Sequence, residues 1–482
     1  MRSPLTYSLM LGMVALMASL ALVHAQDAGG DTKPSDPKAN ADADAKAERP
    51  TPPEEADFSE ELAFLAPLRR GYMGTGSFQS YSVFSALQAE WQVGKNGISI
   101  TRSFNYVDHP GPSRSAFITI GFDAERKKLS LARIRPGSLE IFYESSRSAS
   151  ESEKIGEAPD PVSTTSISFR SQNGMQGIDF SMESRRGLAY EVKWSEYEFE
   201  ANEAKRDAGL SLTLVPSPGA QGPYGIKTFA TKLQPAKEDY TLEAFVYLPS
   251  DGVVDAQGDP TRWPIVILSP GGRADTTRGY ESMGQWLASW GFLTVLAAFD
   301  TEDGDSRAGR FSAALDWLEV QDADPESVLS KRCDLDNVAA AGHSIGGHAA
   351  LMAGYSDERF KAVLALAPIG PEDVPETSKP LTCVIIGEAD EFRDRAVKAY
   401  ADAEGERYYV LIKEMNHVFR PQSGFYHMML RMTSFLKASI GGDDRYLALL
   451  TSPSPEVSVD HTKSGKLEAR KDQPEDQDEN EE

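Results

Sequence analysis

The chain has 482 residues, 40% of them hydrophobic and 25% charged, with a formal net charge of −24. That length exceeds what one ordinary domain needs, so two are expected. So acidic a chain, lacking any basic cluster, repels phosphate, which argues against nucleic acid as a partner.

The N-terminus reads as a processing signal. Arg2 precedes an apolar run from Leu9 to Val23, and Val23-His24-Ala25 fits a small-residue cleavage site before Gln26. The run is short for a membrane span and no cysteine follows it for lipid attachment, so no stable membrane anchor is expected. Residues 1–25 are therefore read as the signal peptide of an exported protein, periplasmic or extracellular. Residues 26–57 form a Pro/Ala/Asp linker and residues 453–482 an acidic tail; neither has a hydrophobic period, and both are expected to be disordered. Stretches 26–60 and 456–482 each carry ten acidic residues against four basic, half of the net charge. The charge thus describes the flanks more than a binding surface.

From residue 58 to residue 215 the texture is β. Apolar residues alternate at Ile98 and Ile100, Phe104 and Tyr106, Phe117 to Phe122, Leu129 and Leu131, and Leu139, Ile141 and Tyr143. Ile167 and Phe169 precede a hairpin signal, Asn173-Gly174; Ile178, Phe180 and Met182 follow, then Leu188, Tyr190, Val192 and Trp194. Eight or more such strands predict an antiparallel barrel or sandwich. The opening Leu65-Ala66-Pro67-Leu68, followed by Tyr72-Met73-Gly74-Thr75-Gly76, resembles the start of small lipocalin-like barrels.

Pro216 to Pro223 is a turn-rich boundary, and from 216 to 452 strands alternate with helices, the mark of a mainly parallel sheet flanked by helices. Strands are predicted at Thr241–Leu248, Trp263–Leu268, Phe292–Phe299, Lys361–Leu366, Cys383–Ile386 and Tyr408–Ile412, with helices over 279–290, 308–321 and 423–439. The central stretch runs from Val338 to Leu351: a small-residue strand enters Gly342-His343-Ser344-Ile345-Gly346 and leaves as an Ala-rich helix. This is the G-x-S-x-G elbow, in which a sharp turn holds the serine above the sheet edge and allows only small residues two positions either side. Ser344 is the expected nucleophile, and the Ile345 N–H at the helix start is an expected oxyanion donor.

A serine hydroxyl needs a base, and histidine is suited to that role near neutral pH. His417, in a loop after the last predicted strand, is the expected base. His343 and His348 beside the elbow are read as structural or pocket-lining, and His427 lies inside the closing helix. The acid comes from Gly387-Glu388-Ala389-Asp390-Glu391, with Asp390 preferred and Glu388 second. The order Ser, Asp, His is the one the α/β-hydrolase fold produces. The second oxyanion donor is expected in Pro270-Gly271-Gly272-Arg273, at the Gly272 N–H. Two cysteines, Cys333 and Cys383, could form one disulfide in an oxidising compartment. Without nearby histidines they do not suggest zinc, and no metal or organic cofactor is expected.

With these residues placed, residues 222–450 resemble bacterial polyester hydrolases (cutinase-like enzymes) and the related platelet-activating-factor acetylhydrolase and dienelactone hydrolase groups. The matching pieces are Gly222-Pro223, Leu268-Ser269-Pro270-Gly271, Trp286 to Phe292, Gly342 to Gly347 and Gly442 to Tyr446. The resemblance implies an α/β-hydrolase with Ser344, Asp390 and His417 as triad and the Gly272 and Ile345 amides as oxyanion hole. Dienelactone hydrolases carry Cys where this chain has Ser344. The loop Ala367-Pro368-Ile369-Gly370 lacks the Trp common in polyester hydrolases, and Gly272 replaces the family's aromatic residue, which argues against an aromatic polymer substrate. The expected function is a secreted serine hydrolase of small-molecule or lipid-like carboxylic esters. The alternatives are a serine peptidase with the same triad, or a ligand-binding protein on a degenerate hydrolase scaffold. Oligomeric state has no signature in the sequence.

Overall fold

The alternation read between 58 and 215 closes on itself. The computed structural model describes residues 61–463 apart from several loops, the longest being 108–112, 152–162, 200–205, 234–241, 251–259 and 298–303. The signal peptide and the linker read at the N-terminus, and the tail beyond 463, lie outside the described residues. Ten antiparallel strands form a closed barrel: β1 (Gly71–Phe78), β2 (Tyr81–Trp91), β3 (Gly97–Tyr106), β4 (Arg114–Asp123), β5 (Lys128–Arg135), β6 (Ser138–Glu151), β7 (Ser163–Ser171), β8 (Gln176–Arg185), β9 (Leu188–Phe199) and β10 (Arg206–Pro216). Each strand pairs with its neighbours in sequence, and β1 closes on β10. A short 3-10 turn, Ala63–Leu65, precedes β1, and the Asn173-Gly174 hairpin joins β7 to β8.

Period-2 alternation puts every second side chain inside. Ile98, Ile100 and Phe104 of β3, Ile118 and Ile120 of β4, and Val192 and Trp194 of β9 fill the interior with Leu62, Leu65 and Leu68 from the entry segment. Among the described residues of the barrel, three buried groups are charged: Arg102, Arg133 and Glu196. Buried Glu196 accepts from Arg133 (2.7 Å), Arg135 (2.6 Å), Arg102 and the Trp194 indole (3.1 Å). Burial opposes ionisation of Glu196, but Arg102, Arg133 and Arg135 outweigh it and hold the carboxyl down at about 2.

A carboxyl whose pKa is depressed on folding stabilises the fold above its ordinary value of 4.5, and that stabilisation fades as pH falls toward about 2. Glu196→Gln leaves the buried Arg102 without its counter-charge and Arg133 with Glu140 alone (2.8 Å), and is expected to destabilise the barrel by about 3–5 kcal/mol. Urea unfolding followed by tryptophan fluorescence checks this. The wild type should lose stability over that acid window, and the variant should lack this component. Equal stability of the two proteins at neutral pH would overturn the prediction.

The second part is a nine-stranded sheet in the order β11-β12-β14-β13-β15-β16-β17-β18-β19. Its strands are β11 (Ile226–Leu233), β12 (Leu242–Pro249), β13 (Trp263–Ser269), β14 (Leu293–Ala297), β15 (Cys333–His343), β16 (Phe360–Leu366), β17 (Leu381–Gly387), β18 (Arg407–Ile412) and β19 (Val457–Thr462). From β14 through β18 all pairings are parallel, and the three outer additions β11, β12 and β19 are antiparallel. Helices α1 (Glu281–Ser289), α2 (Gly304–Ala323), α3 (Ile345–Ser356), α4 (Arg393–Asp402), α5 (Gln422–Ser439) and α6 (Leu447–Thr451) cover it. α2, α3 and α4 pack on one face; α1, α5 and α6 pack on the other. The central strands are buried on both faces, which is why they read as continuous apolar runs rather than as alternation.

Two expectations are resolved here. The acidic stretch expected to be disordered from 453 contains β19, which pairs with β18 from Arg407↔Thr462 to Ile412↔Val457. Val457 and Val459 supply a short period-2 stripe that packs on the sheet, and the open edge of β18 supplies the backbone partners. Cys333 and Cys383 are both free and buried, and they sit in the cores on opposite faces of the sheet. Side chains on opposite faces cannot reach disulfide geometry.

The barrel and the sheet share a core. Met73, Phe84 and Val215 from the barrel pack with Trp290, Tyr446 and Leu449. Tyr446 donates its hydroxyl to the Pro216 carbonyl (3.2 Å), and Arg445 Nη1 pairs with Glu191 of β9 (3.2 Å).

Candidate active site

The sharp turn at the end of β15 has a steric cause. Ser344 lies at φ 57° and ψ −120°, a left-handed conformation that costs a non-glycine residue roughly 1–3 kcal/mol. A Cβ on Gly342 would fall 2.2 Å from the Gly346 carbonyl oxygen, and a Cβ on Gly346 would fall 2.4 Å from that of Ser269. The spacing of the motif is therefore a packing requirement of the turn. The Ser344 N–H donates to the Leu366 carbonyl of β16 (2.9 Å), and its own carbonyl accepts the His348 N–H (3.0 Å), so the strained residue is held from both sides.

The parallel strands deliver the other expected residues to the same sheet edge. Ser344 Oγ lies 2.9 Å from His417 Nε2, and His417 Nδ1 lies 3.0 Å from Asp390 Oδ2. Since a carboxylate only accepts, Nδ1 carries the proton toward Asp390, and Nε2 is left as the acceptor for the serine hydroxyl. The Asp390 side chain is fully buried, and its Oδ1 also accepts the Phe392 N–H (2.8 Å), which fixes the carboxylate plane. The Phe392 ring packs edge-on against His417, with ring centres 4.9 Å apart. Glu388, the second choice of acid, is exposed and instead accepts the Glu414 N–H (3.3 Å).

The expected donors lie on segments that border Ser344: Ile345 follows it directly, and a Cβ on Gly271, next to Gly272, would fall 3.0 Å from the Ser344 Cβ. Ile345 opens α3, where the first N–H groups have no partner within the helix. In the loop after β13, the Gly271 N–H is engaged by the Tyr280 hydroxyl (3.0 Å). The following Gly272, at φ 69°, has no partner for its N–H among the described residues. Arg307 of α2 holds this loop from behind: its guanidinium donates to the Pro270 carbonyl (3.1 Å) and the Gly272 carbonyl (2.7 Å). Both carbonyls are thereby turned to Arg307, and the Gly271 amide to Tyr280.

The remaining histidines separate by environment. His343 is buried between the Tyr280 hydroxyl and the His417 backbone. His348 bonds Asp305 (2.9 Å), and His427 lies on α5 beside Tyr426. None of the three reaches Ser344 Oγ. Sequence reasoning missed Tyr280 and Arg307, whose partners are mostly backbone atoms of other loops. Arg307 did leave a signal: it shares the buried face of α2 with Phe311, Ala314, Leu315 and Leu318, where an unpaired cation is too costly to stay without partners.

Residues 246–469 match the family model described as PETase: PET hydrolase-like. Over 105 residues, 21% of this chain, it is 33% identical to Cutinase 2 of Thermobifida cellulosilytica, covering 38% of that protein. Over the same length it is 33% identical to Cutinase cut1 of Thermobifida fusca, covering 32% of it, and 31% identical to Cutinase est2 of Thermobifida alba, covering 34%. The match therefore spans about a third of these relatives' own length. The C-terminal half of the chain carries a PET hydrolase-like domain.

Proposed function

We propose that the protein is an exported serine hydrolase that cleaves carboxylic esters through an acyl-enzyme. The observation that carries this reading is the unbroken line Asp390–His417–Ser344, with hydrogen bonds of 3.0 and 2.9 Å. In this mechanism Ser344 Oγ attacks the ester carbonyl carbon as its proton passes to His417 Nε2. Asp390 stabilises the imidazolium, and the Gly272 and Ile345 N–H groups receive the negative charge on the former carbonyl oxygen. The tetrahedral intermediate collapses, and the C–O bond to the alcohol breaks as His417 returns the proton to the departing oxygen. A water then gives its proton to His417 and attacks the Ser344 acyl ester; the acyl–Oγ bond breaks as His417 returns the proton to Ser344 Oγ, and the acid is released.

An aliphatic ester is the substrate class that suits this site. Gly272 has no side chain to stack on an aromatic acyl group, and the loop from Ala367 to Gly370 contains no Trp. We assign the barrel a lipocalin-like fold and an accessory role. Its interior is filled by its own side chains, which favours the hydrolase reading over the capture of an apolar ligand.

Turnover of p-nitrophenyl esters from acetate to decanoate, together with organophosphonate labelling mapped by peptide mass, tests the proposal. The expected result is hydrolysis with a definite acyl-length optimum and a single label on Ser344. Absence of both turnover and label would favour the binding-protein alternative, and cleavage of amides alone would favour the peptidase.

A further inference from the structure

Four groups around the elbow form one directional chain of hydrogen bonds. Gly271 N–H meets Tyr280 Oη at 3.0 Å, Tyr280 Oη meets His343 Nδ1 at 2.5 Å, and His343 Nε2 meets the His417 carbonyl oxygen at 2.9 Å. With His343 neutral, only one assignment of protons satisfies all of them. The His417 carbonyl can only accept, so His343 carries its proton on Nε2 and presents a lone pair at Nδ1. The Tyr280 hydroxyl must then donate to Nδ1, and its oxygen accepts the Gly271 N–H. His343 is 6% exposed, and burial, aided by the neighbouring His417, lowers its pKa to about 4. Its neutral form, the one the chain requires, therefore holds through the neutral range. Phe419 closes over the imidazole at 4.5 Å between ring centres.

A buried hydroxyl normally finds some partner, so satisfaction alone carries no meaning. What distinguishes Tyr280 is whom it joins. Gly271 precedes the proposed oxyanion donor Gly272, His343 precedes Ser344, and the last acceptor is the backbone of His417 itself. Each of the three segments that present a reacting group is tied to the same short chain. Resting on the ester-hydrolase reading above, we propose that Tyr280 and His343 are positioning residues that set the oxyanion loop and the histidine loop in one frame. Their contribution falls on the transition state, because the distance from the Gly272 N–H to the developing oxyanion matters there and hardly at all in the bound ester.

The test uses the full chain and p-nitrophenyl butyrate. Tyr280→Phe keeps the ring and removes both bonds of the hydroxyl. It is expected to lower kcat by about 10- to 100-fold, with KM within about threefold of wild type. Organophosphonate labelling of Ser344 should slow in parallel, since it uses the same amides. His343→Asn keeps a hydrogen-bond acceptor for Tyr280 and lacks the Nε2 donor to His417, so its kcat should fall between wild type and Tyr280→Phe. Thermal melts of both variants separate loss of fold from loss of positioning. An active wild type with a Tyr280→Phe kcat within twofold of it would overturn the relay alone. The same holds for a loss in Tyr280→Phe fully explained by unfolding while folded His343→Asn keeps wild-type kcat. A wild type that neither turns over esters nor takes the label would remove the hydrolase reading itself.

Discussion

Replacing Ser344 by Ala is expected to lower kcat for p-nitrophenyl esters by at least about 10^4-fold, with KM close to wild type. Without Oγ there is no atom to form the acyl-enzyme, and the base loses the proton it is placed to accept at 2.9 Å. The proposed amides of Gly272 and Ile345 remain and can still bind a carbonyl, which is why residual catalysis over water survives and KM barely moves. The fold should survive as well. Alanine carries the same Cβ into the left-handed conformation at φ 57°, so it adds no strain. Ser344→Gly should be equally inactive and melt slightly higher, because glycine relieves that strain. Steady-state kinetics beside thermal melts decide the matter. A Ser344→Ala protein within tenfold of wild-type kcat would sink the assignment of the nucleophile.

How much of this was legible in the sequence depends on where each residue's partners lie. The barrel strands were readable because one face is packed and the other solvated, which writes a period of two along the chain; the closure of β1 on β10 has no such local mark. α4 was invisible because Arg393 to Asp402 buries only Ala396, Ala399 and Tyr400 in a helix half of whose residues are charged. β11 exposes much of its length at the sheet's edge and shows no stripe. β19 was hidden by the acidic residues around it. At the candidate site, Ser344 was legible because the turn's sterics dictate the glycines, while Asp390 and His417 follow strands that lead to the same edge. Tyr280 and Arg307 were not legible as parts of the site. Their partners there are backbone oxygens and an amide, plus one histidine, brought together by the crossing of separate loops.

Asp390 and Glu388 are two residues apart, yet their replacements should differ by orders of magnitude. Asp390→Asn keeps the shape of the side chain and an oxygen for the Phe392 N–H, so the loop has no steric reason to move. An amide NH2 turned toward His417 Nδ1, however, favours the tautomer protonated on Nε2. That nitrogen then faces Ser344 Oγ as a donor and cannot take its proton. The imidazolium of the transition state also loses the buried negative charge 3.0 Å away. A kcat lower by about 10^4-fold is expected, with KM little changed. Glu388→Gln should stay within about twofold of wild type, because the side chain is exposed and an amide oxygen can still accept the Glu414 N–H. Measuring both variants on one ester, with melts as the control for folding, makes the comparison internal. Comparable losses from the two substitutions would show that the acid had been misassigned, and a large loss from Glu388→Gln alone would move the role there.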